Sequence, residues 1–363
     1  MKKLLYILPL LLLAVLPVRA QESAEPVEDE AVDVKGIIFG HLKDSYHWHV
    51  ITIGEKEVSI YLPVILHSKV SGWHFFSSRK LEETGSYDGF HIADTGAFAG
   101  RLVEAMPDGT ELKPLDLSLT KVAFGIIINS LLLCLIVMCT AGWYKRHSST
   151  DPAPGGFTGL MEYVIFMIVD DVIKPSVGKE YKRYAPLLLT IFFFILLSNL
   201  MGLIPIFPAG ANVTGNIAVT LSLALVTFFT VNVFGNREYW KEILWPDVPI
   251  FLKVPPILPL IEFIGIFTKP FALTVRLFAN ITAGHAIILA LTCMIFITAK
   301  MGPAIGAPMT ALSLFFMVFM NMLELLVAYI QAYVFTILSA MFIGLAHPEH
   351  EHKKDDKSVE LKN

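Results

Sequence analysis

Glu262, Lys269 and Arg276 are spaced by seven residues, and Asn280 follows Arg276 by four. At ~100° per residue of α-helix, the first three fall within about 40° of one another and Asn280 shares their face. His285, nine residues past Arg276, falls on the opposite side. Further on, Glu324 and Gln331 are again seven apart. From Ile257 to Ala346 the only Lys, Arg, Asp or Glu residues are Glu262, Lys269, Arg276, Lys300 and Glu324. An ionisable group in such apolar surroundings costs ~2.5 kcal/mol or more and is normally there for a function. Arg276 is the sharpest case. Flanked by Leu273-Thr274-Val275 and Leu277-Phe278, its guanidinium cannot discharge by losing a proton, so it requires a carboxylate or water nearby. His285 and Glu324 supply a base and an acid, and are expected to pair across two helices as a proton-exchanging bridge. Simpler roles compete at other positions. Lys269 and Lys300 can snorkel, and Lys300 is expected to do so. Glu262 can be solvated at the cytoplasmic surface, and Asn280 and Gln331 can join helices by hydrogen bonds.

The elements that must hold these residues follow from hydropathy. The chain has 363 residues, 55% hydrophobic and only 17% charged, against about 25% charged in a typical soluble protein. Between Tyr184 and Gly235 no charged residue occurs. The sequence therefore predicts an all-α polytopic membrane protein with a small β-rich N-terminal appendage. A net charge of −4 excludes a nucleic-acid binder relying on a basic surface. No GxxxxGK[ST] motif is present, so nucleotide hydrolysis through a P-loop is excluded. Spans are expected at 122–143, 184–206 and 216–234, with an interfacial helix at 157–174 on the cytoplasmic side. Residues 256–299 and 307–345 would measure ~66 Å and ~58 Å as helices at ~1.5 Å per residue. A hydrocarbon core is only ~30 Å thick. Each is expected to be one long, steeply tilted helix, the pair joined through Lys300-Met301-Gly302-Pro303 on the outer side. Pro270 is expected to kink the first of them.

Residues 1–20 have the form of a cleaved signal peptide: Lys2 and Lys3, an apolar run Leu4–Leu16, and Val18-Arg19-Ala20. Residues 21–36 are acidic and expected to be a disordered leader. Residues 37–115 are expected to be an exported β-rich domain, with a hairpin of 49–53 and 58–62 around Gly54-Glu55-Lys56. His47 and His49 alternate on one strand, with His41, His67, His74 and His91 nearby. Partly exposed strand histidines are expected there rather than a metal site. Cys134, Cys139 and Cys293 sit in apolar segments as packing residues. Asn212-Val213-Thr214 fits a glycosylation pattern by chance. The mature N-terminus is placed outside, and the charged tail 347–363, with Lys353, Lys354 and Lys357, in the cytoplasm.

The run Lys269-Pro-Phe-Ala-Leu-Thr-Val-Arg276-Leu-Phe-Ala-Asn280-Ile-Thr-Ala-Gly-His285 closely resembles the signature of subunit a of the F-type ATP synthase. Glu324 to Gln331-Ala-Tyr-Val-Phe is similar to its final helix, and Ser198-Asn199-Leu-Met-Gly-Leu-Ile-Pro205 to its second-span motif. The resemblance covers residues 120–346. It implies a proton-translocating stator subunit of the bacterial inner membrane, not itself an enzyme, without cofactor or metal. Its implied partners are a ring of c subunits, the b subunit of the peripheral stalk, the rest of the complex and membrane lipid. Arg276 would face the ring carboxylates. Glu262 and Lys269 resemble positions near the cytoplasmic half-channel. Asn280, His285, Glu324, Gln331 and Asn199 resemble positions of the rotor interface and the outer half-channel. Many bacterial members carry an acid where this chain has His285 and a histidine where it has Glu324. The exchange preserves one acid and one base. Gly202 stands where some members have an acid. The alternative, a secondary ion or solute carrier working by alternating access, would show internal repeats and midplane helix breaks.

Overall fold

The computed structural model describes residues 34, 43–53, 56–93, 98–106, 110–148, 150–204, 210–244 and 257–347. The expected signal peptide, the expected acidic leader apart from Val34, His41, Pro205 and the charged tail beyond residue 347 lie outside the described residues.

Alternating strand sequence builds the N-terminal region. β1 (His47–Ile53) and β2 (Lys56–Tyr61) pair antiparallel with Ile53 opposite Lys56, so the expected hairpin forms. A register shift between His49 and Ile51 bends β1. β3 (Pro63–Ser68) lies between β4 (Gly72–Ser77) and β9 (Leu115–Asp116). A helical turn, α1 (Arg79–Thr84), ends on Gly85 with φ 74°, a left-handed conformation that favours glycine. It leads to a four-stranded sheet of β5 (Ser86–Tyr87), β6 (Phe90–Ile92), β7 (Leu102–Ala105) and β8 (Glu111–Leu112). Tyr46, Val64, Leu66, Leu81, Phe90 and Leu102 form the core.

Among the described residues five helices are long and apolar enough to cross a membrane. α2 (Lys121–Arg146) starts on Thr120, whose hydroxyl accepts from Ala123 N–H, and ends in Lys145 and Arg146. α3 (Gly156–Met167) runs on through a wide π-type turn, Ile168–Ile173, and a further helical turn, Lys174–Val177. The path therefore remains helical beyond the expected 157–174. Gly178 (φ 75°) redirects it into α4 (Tyr181–Leu203). α5 (Ile217–Phe234) is capped by the Asn216 side chain, and a short α6 (Arg237–Leu244) follows.

α7 (Ile257–Ala299) and α8 (Pro303–Leu345) have 43 residues each and pack against one another. α7 is a single helix that contains Pro270. α8 begins four residues earlier than expected, because Pro303 occupies its first turn, where a missing N–H costs nothing. Gly302, at φ 94°, makes the reversal between them. Ile168, Ile173, Leu188, Phe192, Ile195, Leu277 and Ile343 lie at the centre of the apolar core that joins α3, α4, α7 and α8. One expectation fails here. Cys293 is buried, whereas Cys134 and Cys139 are exposed on the outer face of α2. Apolar character in a bilayer does not imply packing against protein, since lipid serves equally well.

Candidate functional site

Glu324 projects from α8 into the seam with α7 with only 4% of its side chain exposed. His285 projects from α7 to meet it, with Nδ1 3.4 Å from Oε1. The two are at ion-pair distance without hydrogen-bond geometry, and both Glu324 oxygens are buried with no hydrogen-bond partner among the described residues. A glycine makes the approach possible. A Cβ added at Gly284 would stand 3.0 Å from Glu324 Oε1 and 3.1 Å from its carboxyl carbon. On the other side of His285 lies α4: a Cβ on Gly202 would stand 3.5 Å from His285 Nε2. Gly202 therefore serves the site as space rather than as an acid.

The remaining polar residues divide into two sets. Gln331 donates through Nε2 to the backbone carbonyl of Arg276 at 3.2 Å, tying α8 to α7 where the arginine emerges. Asn199 donates to the Ala328 carbonyl at 3.1 Å and accepts from the Thr214 hydroxyl at 2.7 Å. One helix further out, Asn129 of α2 donates to the Ser198 hydroxyl at 2.6 Å. A buried polar belt thus crosses α2, α4, the 210–216 segment and α8, ending one turn from Glu324. The sequence reading missed Asn129, Thr214 and Gly284. The signal available was their type: small or amide-bearing residues inside otherwise apolar runs.

Arg276 behaves differently. It is exposed on a stripe with Ala272, Val275, Ala279, Asn280 and Ala283. Among the described residues no carboxylate forms an ion pair with it. Phe271, 66% exposed, flanks the same stripe. Glu262 is exposed further toward the N-terminal end of α7. Lys269 is half-buried, its Nζ 5.4 Å from the centre of the Phe342 ring, in a small pocket shared with Tyr239 and Asn232. Burial and, after it, the nearby Glu262 carboxylate push the Tyr239 phenol above its usual range. The structure thus brings together His285 with Glu324, Gln331 with the Arg276 backbone, and Asn199 with α8. Glu262 and Lys269 stay apart from them at the far end of α7.

Three histidines of the β-rich region are used singly. His67 packs edge-on against Trp73 at 4.6 Å. His74 pairs with Asp88 at 2.5 Å, and His91 with Glu111 at 3.3 Å. Among the described residues no group of three or more possible metal ligands converges.

Apolar helices of bilayer length, a buried acid–base pair and an uncovered cationic stripe together define a multi-pass membrane protein of the ion-transport class. The family model for the ATP synthase A chain matches residues 126–344. A second model, a domain of unknown function (DUF8433), matches residues 37–117. The chain is 35% identical to ATP synthase subunit a 2 of Chlorobaculum tepidum, over 98% of this chain and 95% of that one. It is 37% identical to ATP synthase subunit a 2 of Chlorobium luteolum, over 93% and 90%. To ATP synthase subunit a of Myxococcus xanthus it is 38% identical, over 71% and 84%. The chain belongs to the ATP synthase A chain family, and is a membrane component of that complex.

Proposed function

We propose that this chain is the stator of a proton-driven rotary motor, with Arg276 as the group that acts on the rotor and the His285–Glu324 pair as the proton relay on one side of it. The observation that carries the reading is the exposure of Arg276: a permanent cation on a largely apolar stripe, without a carboxylate partner among the described residues. The residues around it are small, Ala272, Ala279 and Ala283, so a neighbouring helix can approach closely.

The physical logic is that of a sliding carboxylate. A rotor acid can face lipid only when neutral, since burying its charge is too costly. Opposite Arg276 the same acid is favoured as the anion and must release its proton into an aqueous path. The fixed cation also repels protons that would otherwise pass straight from one half-channel to the other. Protons therefore cross by riding the ring, and each charge moved through ~100 mV releases ~2.3 kcal/mol. This chain makes and breaks no covalent bond. Its own residues bind, hold and pass protons, and orient the arginine.

On the outer side, His285, Glu324, Asn199 and Gln331 line the route to the rotor. Asn280 borders the rotor face, and Glu262 and Lys269 lie toward the cytoplasmic route. The β-rich region is then exported and the C-terminal tail cytoplasmic, with the c-ring, the b subunit and the rest of the ATP synthase as partners. Residues 1–20 are assigned as a signal peptide, and the compartment is the bacterial inner membrane.

Arg276→Ala should abolish proton-driven ATP synthesis in membrane vesicles while the complex still assembles and its soluble part still hydrolyses ATP. Undiminished coupled synthesis in that variant would overturn the assignment.

A further inference from the structure

A cleft of about 580 Å³ opens between the β-rich region and the adjacent ends of α2 and α5, within the size range of small-molecule sites. Three cations line it, Lys43, Arg101 and Lys113, together with Asp44 and Asp116. Both acids are directed elsewhere. Asp44 Oδ1 accepts from the backbone N–H of Ser45 and of Val122, each at 3.0 Å. Asp116 accepts from the Tyr46 hydroxyl at 2.5 Å and from the Ser118 N–H at 2.9 Å. Among the described residues none of the three cations forms an ion pair. The lining thus carries three cations against two acids, and both acids already accept hydrogen bonds from other groups.

Its depth relative to a bilayer follows from α5. That helix has 18 residues, ~27 Å at ~1.5 Å each, hardly the ~30 Å of a hydrocarbon core. A helix this short cannot hold its first turn far out in water and still cross. Asn216 and Ala218, which line the cleft, must lie at the level of lipid headgroups. Leu115, also in the lining, is 58% exposed, and neighbouring Leu117 is 56% exposed. A basic cleft at headgroup level with an apolar lip matches the chemistry of an anionic phospholipid: phosphate for the cations, glycerol and acyl carbons for the leucines.

We propose that this cleft binds the phosphate of an anionic phospholipid from the leaflet on the side of the β-rich region, with Lys43, Arg101 and Lys113 as its ligands. The site seats the β-rich region on the membrane.

The test uses the intact complex carrying this chain, purified in detergent, delipidated and exposed to phosphatidylglycerol or phosphatidylcholine. Lipid retained per complex is counted by native mass spectrometry. The wild type should keep phosphatidylglycerol at least tenfold better than phosphatidylcholine. The K43Q/R101Q/K113Q variant should lose that preference. Equal retention by variant and wild type overturns the site. Displacement of the lipid by inorganic phosphate at equal concentration overturns the lipid as occupant. A photo-crosslinking phosphatidylglycerol on the unmodified complex makes the result independent of whether the variant assembles. Labelling at residues 99–101 and 113–116 supports the proposal, and labelling confined to other segments refutes it.

Discussion

The exchange of acid and base between His285 and Glu324 gives the residue-scale prediction. The carboxylate is the more deeply buried partner, and among the described residues the imidazole is the one ionisable group at ion-pair distance from it. Removing one member leaves the other buried without its counterpart, a loss of several kcal/mol by analogy with other buried pairs, ~3–5 kcal/mol. His285→Glu and Glu324→His should each reduce proton-driven ATP synthesis severely. The double exchange should restore more activity than either single change, measured as proton pumping and synthesis in vesicles. If the double variant is no better than the worse single one, the two groups do not work as a pair.

Helix packing supplies the element-scale prediction, through positions where only hydrogen fits. A Cβ at Gly344 of α8 would stand 1.8 Å from the backbone carbonyl oxygen of Ser176. That neighbour is backbone and cannot swing aside, so the helical segment before α4 must move. Gly344→Ala should cut the amount of assembled complex in membranes several-fold, because overpacking costs ~1–3 kcal/mol or more. Gly265→Ala on α7 has open space around it; it should assemble at wild-type level and serves as the control. The long helices depend on such contacts for their paths. Residues 257–299 are uninterrupted despite Pro270, and Thr274 turns its hydroxyl back to donate to the Pro270 carbonyl at 2.9 Å.

On the scale of the whole molecule, the question is how a β-rich region is fixed to a helical one. Trp48, 4% exposed, packs with Ala211 and Val213 beside Phe124. The backbone N–H of Lys121 donates to the Ser45 carbonyl at 2.9 Å. Gly125 of α2 lies so close that a Cβ there would meet Ala211 Cβ at 2.8 Å. Because Thr214 of the same 210–216 segment bonds to Asn199, the anchor reaches the polar belt near Glu324. Trp48→Ala should weaken the docking by ~3–5 kcal/mol, read as faster proteolysis of the β-rich region in right-side-out vesicles. Unchanged proteolysis would show that Trp48 is not the anchor. Tyr46 adds a pH dependence. Burial first, and then the hydrogen bond and charge of Asp116, hold its phenol neutral well above the usual tyrosine range. The unfolded chain would lose that proton near pH ~10. The stabilisation is therefore complete below about pH 10 and is lost as pH rises from there through the folded value. Protease sensitivity of the β-rich region should climb above that pH in the wild type. Tyr46→Phe should start less stable, by about 1.5–3 kcal/mol for a bond to a charged acceptor, and show less of this rise.

The order of apolar runs and charges by itself determined the helical membrane architecture, the two long final helices and the identity of the residues worth testing, and strand alternation located the first hairpin to within two residues at its ends. Apolar length and charge scarcity are local properties that a bilayer reads directly. A spacing of nine was enough to separate Arg276 from His285 on α7, since helical phase is also local. Only the tertiary structure decided that Gly284 and Gly202 open the space in which His285 meets Glu324, and that Asn129, Ser198, Asn199 and Thr214 form one belt. It also placed two of the three cysteines outward. Those outcomes depend on which helix stands beside which, and that is set by close approach between segments tens to hundreds of residues apart, which no periodicity within a single segment encodes.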